Sequence, residues 1–286
     1  MLDGCVPSLL NILRIVRVFL LLAWFLPSLA AADDFRFVLL GDRTGEAQPG
    51  IYEQVWKNLA SEKPAFVVSP GDTIQGLNDA TAAEEWRQVR TVLSLYTAIP
   101  LYLTPGNHDV WSESSELLFA KNAGHPVHYS FDSGPVHVTV LDNSRGDSLS
   151  PDEMAFLERD LQAHADRPVK FIVSHRPSWL FPVLLRSPDF PLHQLAKKYG
   201  VQYVIAGHVH QLLHFSLEGV EYVSLPSAGG HLRSTGKYED GWFFGFTVAE
   251  VRKQEAGFAI ELKLHPLGGV VTNLSQWGSA GLLGKP

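Results

Sequence analysis

The stretch PLYLTPGNHD, residues 100–109, runs from an apolar segment typical of a buried strand into a turn and then into polar side chains. A turn uses Gly106 and Asn107 readily, but it does not require His108 and Asp109 behind them. Four other apolar runs end in polar side chains of the same kind: VLLGD in Asp42, VVSPGD in Asp72, FIVSH in His175, and VIAGHVH in His208 and His210. The reactive side chains of this sequence therefore collect at the ends of strand-like runs.

Helical patterns separate several of these runs, and after residue 210 strand-like runs follow one another without an evident helix. The clearest helix is SPDEMAFLERDLQAHA, where Ser150 can cap, Pro151 takes the first position and Glu153 completes a capping box. Alternating strands and helices followed by strands alone predict a mixed α/β domain with buried sheets. Because ligands bind at the carboxyl ends of strands in open α/β sheets, the polar strand ends should converge on one place.

The first thirty residues have the pattern of an export signal. Arg14 and Arg17 precede the apolar run VFLLLAWFL, and the small residues of PSLAAADD follow it. This order predicts a signal peptide over residues 1–32, cleaved after Ala32, and a single exported domain over residues 33–286. The alternative is an N-terminal membrane anchor, although the apolar run is short for a bilayer span, so no stable span is expected in the mature form.

Charge and cysteine content narrow the possible partners. The chain carries a net charge of −7, and loss of Arg14, Arg17 and Asp3 with the signal leaves −8. An acidic surface repels phosphate backbones at long range, which argues against a nucleic-acid partner. The single cysteine, Cys5, leaves with the signal, so any metal must be held by nitrogen and oxygen ligands.

Two carboxylates, one amide and three imidazoles form a suitable ligand set for divalent ions such as Mn, Zn or Fe. Each motif alone has an ordinary explanation, since a strand-ending Gly-Asp is usually a turn and a lone histidine is usually a hydrogen-bonded core residue. Their joint occurrence at five strand ends favours metal binding. The set is large enough for two ions if one carboxylate bridges them.

The blocks GD, GD, GNHD, SH and GHVH, in this order, resemble the signature of the calcineurin-like metallophosphoesterases, and the resemblance covers about residues 35–250. It implies an α/β fold built as a β-sandwich of mixed sheets flanked by helices. It also implies hydrolysis of phosphate esters by a hydroxide that two divalent metal ions activate. Manganese is the expected metal, with Zn, Fe and Co as the other candidates.

The resemblance also implies a role for each residue. Asp72 would bridge the ions and His108 would be the general acid, oriented by Asp109. The remaining ligands would divide between the two metals, with Asp42 and His210 on the first and Asn107, His175 and His208 on the second.

The first block departs from the family pattern, which usually reads D-x-H. Here Thr44 stands in place of the metal-binding histidine. Purple acid phosphatases also lack that histidine and use a tyrosine three residues after the bridging aspartate, a position that Gln75 holds in this chain. The amide oxygen of Gln75 could complete the first site, or Gln75 could be an ordinary loop residue. Arg43 is predicted to bind substrate phosphate, with an ion pair to Glu46 as the alternative.

Taken together, the sequence predicts an exported metal-dependent phosphoesterase that acts on a small-molecule phosphate ester. One alternative is a phosphodiesterase acting on nucleotides or phospholipid head groups. Another is a degenerate metal-binding module without turnover, motivated by the lost histidine. The presence of His108 and Asp109 argues against the degenerate module, because a purely structural metal needs no acid.

Overall fold

Two six-stranded mixed sheets form the centre of this computed structural model, which describes residues 35–277. Sheet A has the order β12-β11-β10-β1-β2-β3, in which β1, β2 and β3 are parallel and the other pairs are antiparallel. Its strands are β1 (Phe35–Leu39), β2 (Val67–Ser69), β3 (Leu101–Leu103), β10 (Gly245–Lys253), β11 (Phe258–Pro266) and β12 (Thr272–Asn273).

Sheet B has the order β4-β5-β6-β7-β9-β8, with β5, β6, β7 and β9 parallel and an antiparallel strand at each edge. Its strands are β4 (Tyr129–Ser133), β5 (Val136–Val140), β6 (Val169–Val173), β7 (Tyr203–Ala206), β8 (Leu213–Leu217) and β9 (Val220–Ser224).

Helices cover the outer faces of both sheets. They are α1 (Ile51–Ser61), α2 (Asp79–Leu93), α3 (Glu113–Ala123), α4 (Pro151–Ala163), α5 (Leu180–Leu184) and α6 (Pro191–Lys198). Buried side chains of α1 pack against β1 and β10 of sheet A, and those of α4 and α6 pack against β6 and β7 of sheet B. The predicted β-sandwich of mixed sheets flanked by helices is confirmed.

The inner faces of the two sheets form one apolar core. Phe37 of β1 stacks on Phe66 at 4.6 Å between ring centroids, and its ring meets the edge of Phe171 of β6 at 5.1 Å. These rings bridge sheet A and sheet B, so the core fixes how the two sets of strand ends face each other.

Every strand-like run that the sequence analysis quoted becomes a strand, whereas the predicted capping box was wrong. Ser150 does accept from the backbone N–H of Glu153. The carboxylate of Glu153, however, accepts from the backbone N–H of Asp142 and contacts His128, because α4 packs against those segments. The predicted signal peptide, residues 1–32, lies outside the described residues. Within residues 35–277, no helix is long and apolar enough to cross a membrane.

Candidate metal centre at the strand ends

The predicted ligands come together at one rim of the sandwich, beyond the carboxyl ends of β1, β2 and β3 of sheet A and β6 and β7 of sheet B. Two groups of side chains have all their ligand atoms within 4.8 Å of one another, and Asp72 belongs to both. One group is Asp72, His175 and His208, and the other is Asp42, Asp72 and His210. A shared carboxylate is the arrangement that two adjacent ions require.

Asn107 joins the first of these groups through His175. The Nε2 atom of His175 lies 3.0 Å from Asn107 Oδ1, 3.1 Å from His208 Nδ1 and 3.3 Å from Asp72 Oδ1. Its other nitrogen, Nδ1, lies 3.0 Å from the carbonyl oxygen of Pro70 and donates to it. The bond from Nδ1–H fixes the ring so that Nε2 is directed at the centre of the group.

His210 is held in the same way on the other side of Asp72. Its Nδ1 donates to the carbonyl oxygen of His231 at 2.7 Å, and its Nε2 faces Asp42 Oδ2 at 3.3 Å. Nε2 of His210 and Oδ1 of Asp42 are both buried and have no hydrogen-bond partner among the described residues. Buried polar atoms of native proteins are almost always paired, so these two atoms and the N and O donor set around them fit a divalent cation.

The charges of the centre shift the pKa values of its members. Burial alone would raise the pKa of Asp72, but His175 and His108 outweigh burial and hold that pKa well below its usual range. Burial opposes the charge of His175, yet the carboxylate of Asp72 raises the His175 pKa to about 9. Burial and the charge of His175 lower the pKa of His208 to about 4, so its imidazole is neutral at pH 7 and able to bind metal.

Three of the candidate ligands have left-handed backbone conformations that L-residues rarely adopt. The φ angles are 55° at Asp72, 69° at His208 and 60° at His210. Such conformations cost on the order of 1–3 kcal/mol each and persist where surrounding structure enforces them, commonly at functional sites. The strain supports a functional reading of these positions.

Two glycines permit the backbone crossing beneath Asp72. A Cβ atom on Gly106 would lie 2.2 Å from Asp72 Oδ1 and 2.3 Å from Asp72 N, and one on Gly71 would lie 2.6 Å from Gly106 N. Gly106 is therefore required for close approach to Asp72, in addition to any need of the turn.

His108 projects from the same loop, but the partner predicted for it was wrong. Its Nδ1 lies 2.5 Å from the carbonyl oxygen of Gln75, and its backbone N–H donates to Asp72 Oδ1 at 2.9 Å.

Asp109, the predicted orienting residue, has other partners. Its fully buried carboxylate accepts from the backbone N–H groups of Thr73, Ile74 and Gly106 at 2.8, 3.1 and 3.0 Å. The backbone N–H groups of Asp109 and Val110 both bond to Gly106 O, so the loop curls into a turn that directs the Asp109 side chain inward. Asp109 thus ties the loop after β3 to the loop after β2, and burial and Asp72 raise its pKa to about 7.

Thr44 and Gln75 bond to each other. The hydroxyl of Thr44 donates to Gln75 Oε1 at 2.7 Å, and the backbone N–H of Glu46 donates to the same oxygen at 3.1 Å. An amide oxygen has two lone pairs, and both are engaged here. The structure therefore favours the alternative in which Gln75 is a loop residue.

Among the described residues, Arg43 contacts Thr73 and Tyr52 rather than Glu46, the partner that the sequence suggested as the alternative. Its Nη1 donates to the carbonyl oxygen of Thr73 at 3.1 Å, and its guanidinium lies over the ring of Tyr52 at 5.5 Å from the centroid. These contacts hold the guanidinium between Thr73 and Tyr52, and its predicted role toward phosphate stays a prediction.

Asn143 is a site residue that the sequence analysis missed. It is buried after β5, and its Oδ1 accepts from the backbone N–H groups of His175 at 3.0 Å and Arg176 at 2.9 Å. The signal was present, because the run HVTVLDN ends in an amide as the other strand ends do. The loop PSAGGHLRSTG, residues 226–236, also reaches the site, where the N–H groups of Ala228 and Gly230 donate to Asp42 O.

A second histidine–aspartate cluster, formed by Asp132, His137 and His164, lies outside this centre. His137 Nδ1 bonds to Asp132 at 2.8 Å and its Nε2 bonds to Asp160 at 3.0 Å. Both nitrogens of His137 are thus engaged by protein groups, in contrast to the unpaired atoms of Asp42 and His210. The cluster is a closed hydrogen-bond network.

Comparison with known proteins agrees with this geometry. A family model described as calcineurin-like phosphoesterase matches residues 35–212, more than half of the chain. The chain belongs to this family. It is accordingly a metal-dependent hydrolase of phosphoric esters, and the family depends on two metals.

Two curated relatives illustrate the range of the family. The chain is 26% identical over 275 residues to tartrate-resistant acid phosphatase type 5 of Oryctolagus cuniculus, covering 78% of this chain and 80% of the relative. It is 27% identical over 202 residues to the 3',5'-cyclic adenosine monophosphate phosphodiesterase CpdA of Escherichia coli K12, covering 66% and 69%.

Solved structures share the fold at lower identity. Purple acid phosphatase PPD1 from yellow lupin seeds aligns with a TM-score of 0.59 and 18% identity over 84% of this chain and 53% of the lupin chain. This phosphoesterase thus spans about half the length of the lupin enzyme. A dimetal phosphatase from Danio rerio aligns with a TM-score of 0.58 and 14% identity over 84% of this chain and 98% of the other.

Proposed function

We propose that this phosphoesterase is an exported enzyme that hydrolyses small phosphate esters with two divalent ions, preferably Mn(II). The observation that supports this most is the position of Asp72, whose carboxylate belongs to two ligand groups at once. Asp42 and His210 would complete the first site, and Asn107, His175 and His208 the second.

The bound ions would supply an activated water and would stabilise the charge that develops on the phosphoryl oxygens. The neutral amide of Gln75 is engaged by Thr44 and Glu46, so the first site would hold few strong donors. Such a site suits Mn(II) better than Fe(III), which a phenolate would stabilise, and the protein should show no purple colour.

His108 would supply the proton to the leaving oxygen. Its Nδ1–H is fixed on the carbonyl oxygen of Gln75, which leaves Nε2 as the nitrogen that can carry the transferable proton. A carbonyl acceptor orients the ring without competing for that proton. Arg43 would bind a phosphate oxygen beside the first site.

A phosphodiesterase is the second candidate, supported by the similarity to the CpdA phosphodiesterase. The two activities share metal ligands and differ in how many phosphate oxygens are esterified. Both are tested by one assay of the purified protein against matched aryl phosphate monoesters and diesters.

The assay compares protein stripped with a chelator, the same protein supplied with Mn(II), and the Asp72→Asn variant. We expect activity only with metal, and we expect the variant to lose both ions, because an amide cannot neutralise two cations. Undiminished hydrolysis by rigorously metal-free protein would refute the two-metal proposal.

Export is tested separately, by expression of the full chain and N-terminal sequencing of the protein recovered outside the cytoplasm. Cleavage after Ala32 gives Asp33 as the first residue. Recovery of the intact N-terminus in the membrane fraction would support the anchor instead.

A further inference from the structure

Arg176 directly follows His175, and both its backbone N–H and its backbone carbonyl bond to the side chain of Asn143. Its N–H donates to Asn143 Oδ1 at 2.9 Å, and its carbonyl oxygen accepts from Asn143 Nδ2 at 2.8 Å. The same amide oxygen holds the N–H of His175. One buried side chain thus fixes His175 and Arg176 as a unit at the end of β6, and such fixed placement is what an anion-binding group requires.

Protein groups within residues 35–277 do not supply hydrogen-bond acceptors for every nitrogen of the Arg176 guanidinium. Nη1 donates to Asp147 Oδ1 at 2.8 Å, whereas Nε is buried and has no hydrogen-bond partner among the described residues. The Asp147 side chain is 94% exposed, while that of Arg176 is 23% exposed. An ion pair with so exposed a carboxylate contributes little and exchanges easily. Asp147 is therefore a partner that another anion can replace.

The charge of Arg176 acts on the metal centre. After burial and the charge of His175, Arg176 is the next cause of the lowered pKa of His208. The geometry agrees, because Arg176 lies on the same loop after β6 as the ligand His175, and Asn143 Oδ1 accepts from the backbone N–H groups of both residues.

The number of non-bridging oxygens on the substrate phosphate determines whether the Arg176 guanidinium has an oxygen to bind. A phosphate monoester has three non-bridging oxygens, while a diester has two. Two ions engage two of these oxygens, and a third position remains for a guanidinium, which pairs well with phosphate. In a diester that oxygen is esterified and carries no negative charge, so it is a weak acceptor for the guanidinium.

We propose that Arg176 binds the third non-bridging oxygen of a phosphate monoester and that the substrate displaces Asp147 from it, so that the site selects monoesters over diesters. The proposal rests on the proposed function, and its first test is binding of inorganic phosphate to Mn(II)-loaded protein, measured by calorimetry. Arg176→Ala should weaken phosphate binding about 10- to 100-fold, the usual range for loss of a charged hydrogen bond.

Asp147→Ala should have the opposite effect, because it removes the competing carboxylate. We expect binding up to about 5-fold tighter, the limit for a surface ion pair. Arg87→Ala is the matched control: Arg87 pairs with the exposed Glu84 within α2, so its loss removes one positive charge away from the centre and should leave phosphate binding unchanged. Weaker binding by both Arg176→Ala and Asp147→Ala would mean that the ion pair is structural, and would overturn the proposal.

The second test is substrate selectivity. Arg176→Ala should lower kcat/KM for an aryl monoester at least 10-fold more than for the matching diester, and Arg176→Lys should recover part of the loss. Metal content, measured by elemental analysis, should stay at the wild-type value. Loss of metal from Arg176→Ala would show that Arg176 acts by positioning His175, which contradicts the proposal.

The assays of wild-type protein and of Arg176→Ala separate the proposed function from the role of Arg176. Wild-type protein that hydrolyses neither ester class overturns the proposed function. Wild-type protein that hydrolyses monoesters, with an Arg176→Ala variant of equal phosphate affinity and selectivity, overturns only the role of Arg176.

Discussion

Gly106→Ala should disable the metal centre without adding or removing a functional group. The added Cβ would lie 2.2 Å from Asp72 Oδ1 and 2.3 Å from Asp72 N, whereas ordinary contacts begin at 3.4 Å. The two segments must separate by about 1 Å, and a misplacement of that size at a reacting centre costs about 10²-fold in rate. Asp72 is the residue displaced, so both metal sites should weaken together. Overpacking of this kind also costs about 1–3 kcal/mol of unfolding free energy.

The measurement combines kcat for an aryl phosphate in Mn(II), metal content after gel filtration, and thermal unfolding. We expect at least a 10²-fold lower kcat and less retained metal. The melting temperature should fall by about 5 °C, since 1 kcal/mol corresponds to about 2–4 °C for a domain of this size. Gly146→Ala is the control, because the nearest atom to its new Cβ would be Ser148 O at 3.8 Å. A Gly106→Ala protein with normal turnover and two retained ions would refute the argument that this crossing requires glycine.

Three further predictions concern single side chains. His108→Ala should lower kcat about 10²–10⁴-fold for esters with poor leaving groups and less for nitrophenyl esters, with unchanged metal content; equal loss across leaving groups would contradict the acid role. Gln75→Ala should lower the unfolding free energy by about 1–2 kcal/mol by releasing Thr44 and Glu46, while elemental analysis finds the metals retained; metal loss would make the amide oxygen a ligand after all. Burial alone would raise the pKa of Asp160, but hydrogen bonds from His137 and from neighbouring hydroxyls outweigh burial and lower that pKa. The ionised carboxylate of Asp160 therefore stabilises the folded protein above the unfolded-state pKa of about 3.9, and this stabilisation is lost as pH falls through the folded-state pKa. Asp160→Asn should therefore lower stability at pH 7 by about 2 kcal/mol, with the difference from wild type shrinking below about pH 4 in thermal melts; a difference that stays constant with pH would rule out this ionic contribution.

Most ligands of the metal centre could be predicted from the sequence because the patterns that identify them span only a few consecutive residues. An apolar run followed by Gly-Asp, Asn-His or His-x-His predicts both a strand and the metal-binding side chain at its end. The order of the blocks then indicated the family, which the match over residues 35–212 confirms. The strand assignments held because side-chain alternation and β-branched composition are properties of a few consecutive residues.

The hydrogen-bond partners of the side chains around the centre could not be predicted from such short patterns. Asp109 follows His108 directly, yet its carboxylate bonds to Thr73 and Ile74, more than thirty positions earlier. Asn143 bonds to His175 from the end of a different strand, and its amide carries no motif that distinguishes it from a turn residue. Neighbours in sequence can point in opposite directions from a turn, and only the turn geometry decides which.

The sequence by itself determined which side chains stand at strand ends and what ions they suit, because strand propensity and ligand chemistry belong to short segments. Only the tertiary structure decided that three of those strands lie in sheet A and two in sheet B, and that the two rims meet so that Asp72 is shared. That arrangement depends on strand pairing and on the aromatic core between the sheets, which joins Phe37 to Phe171. Contacts over such separations are selected by the packing of the whole domain, which no local pattern encodes.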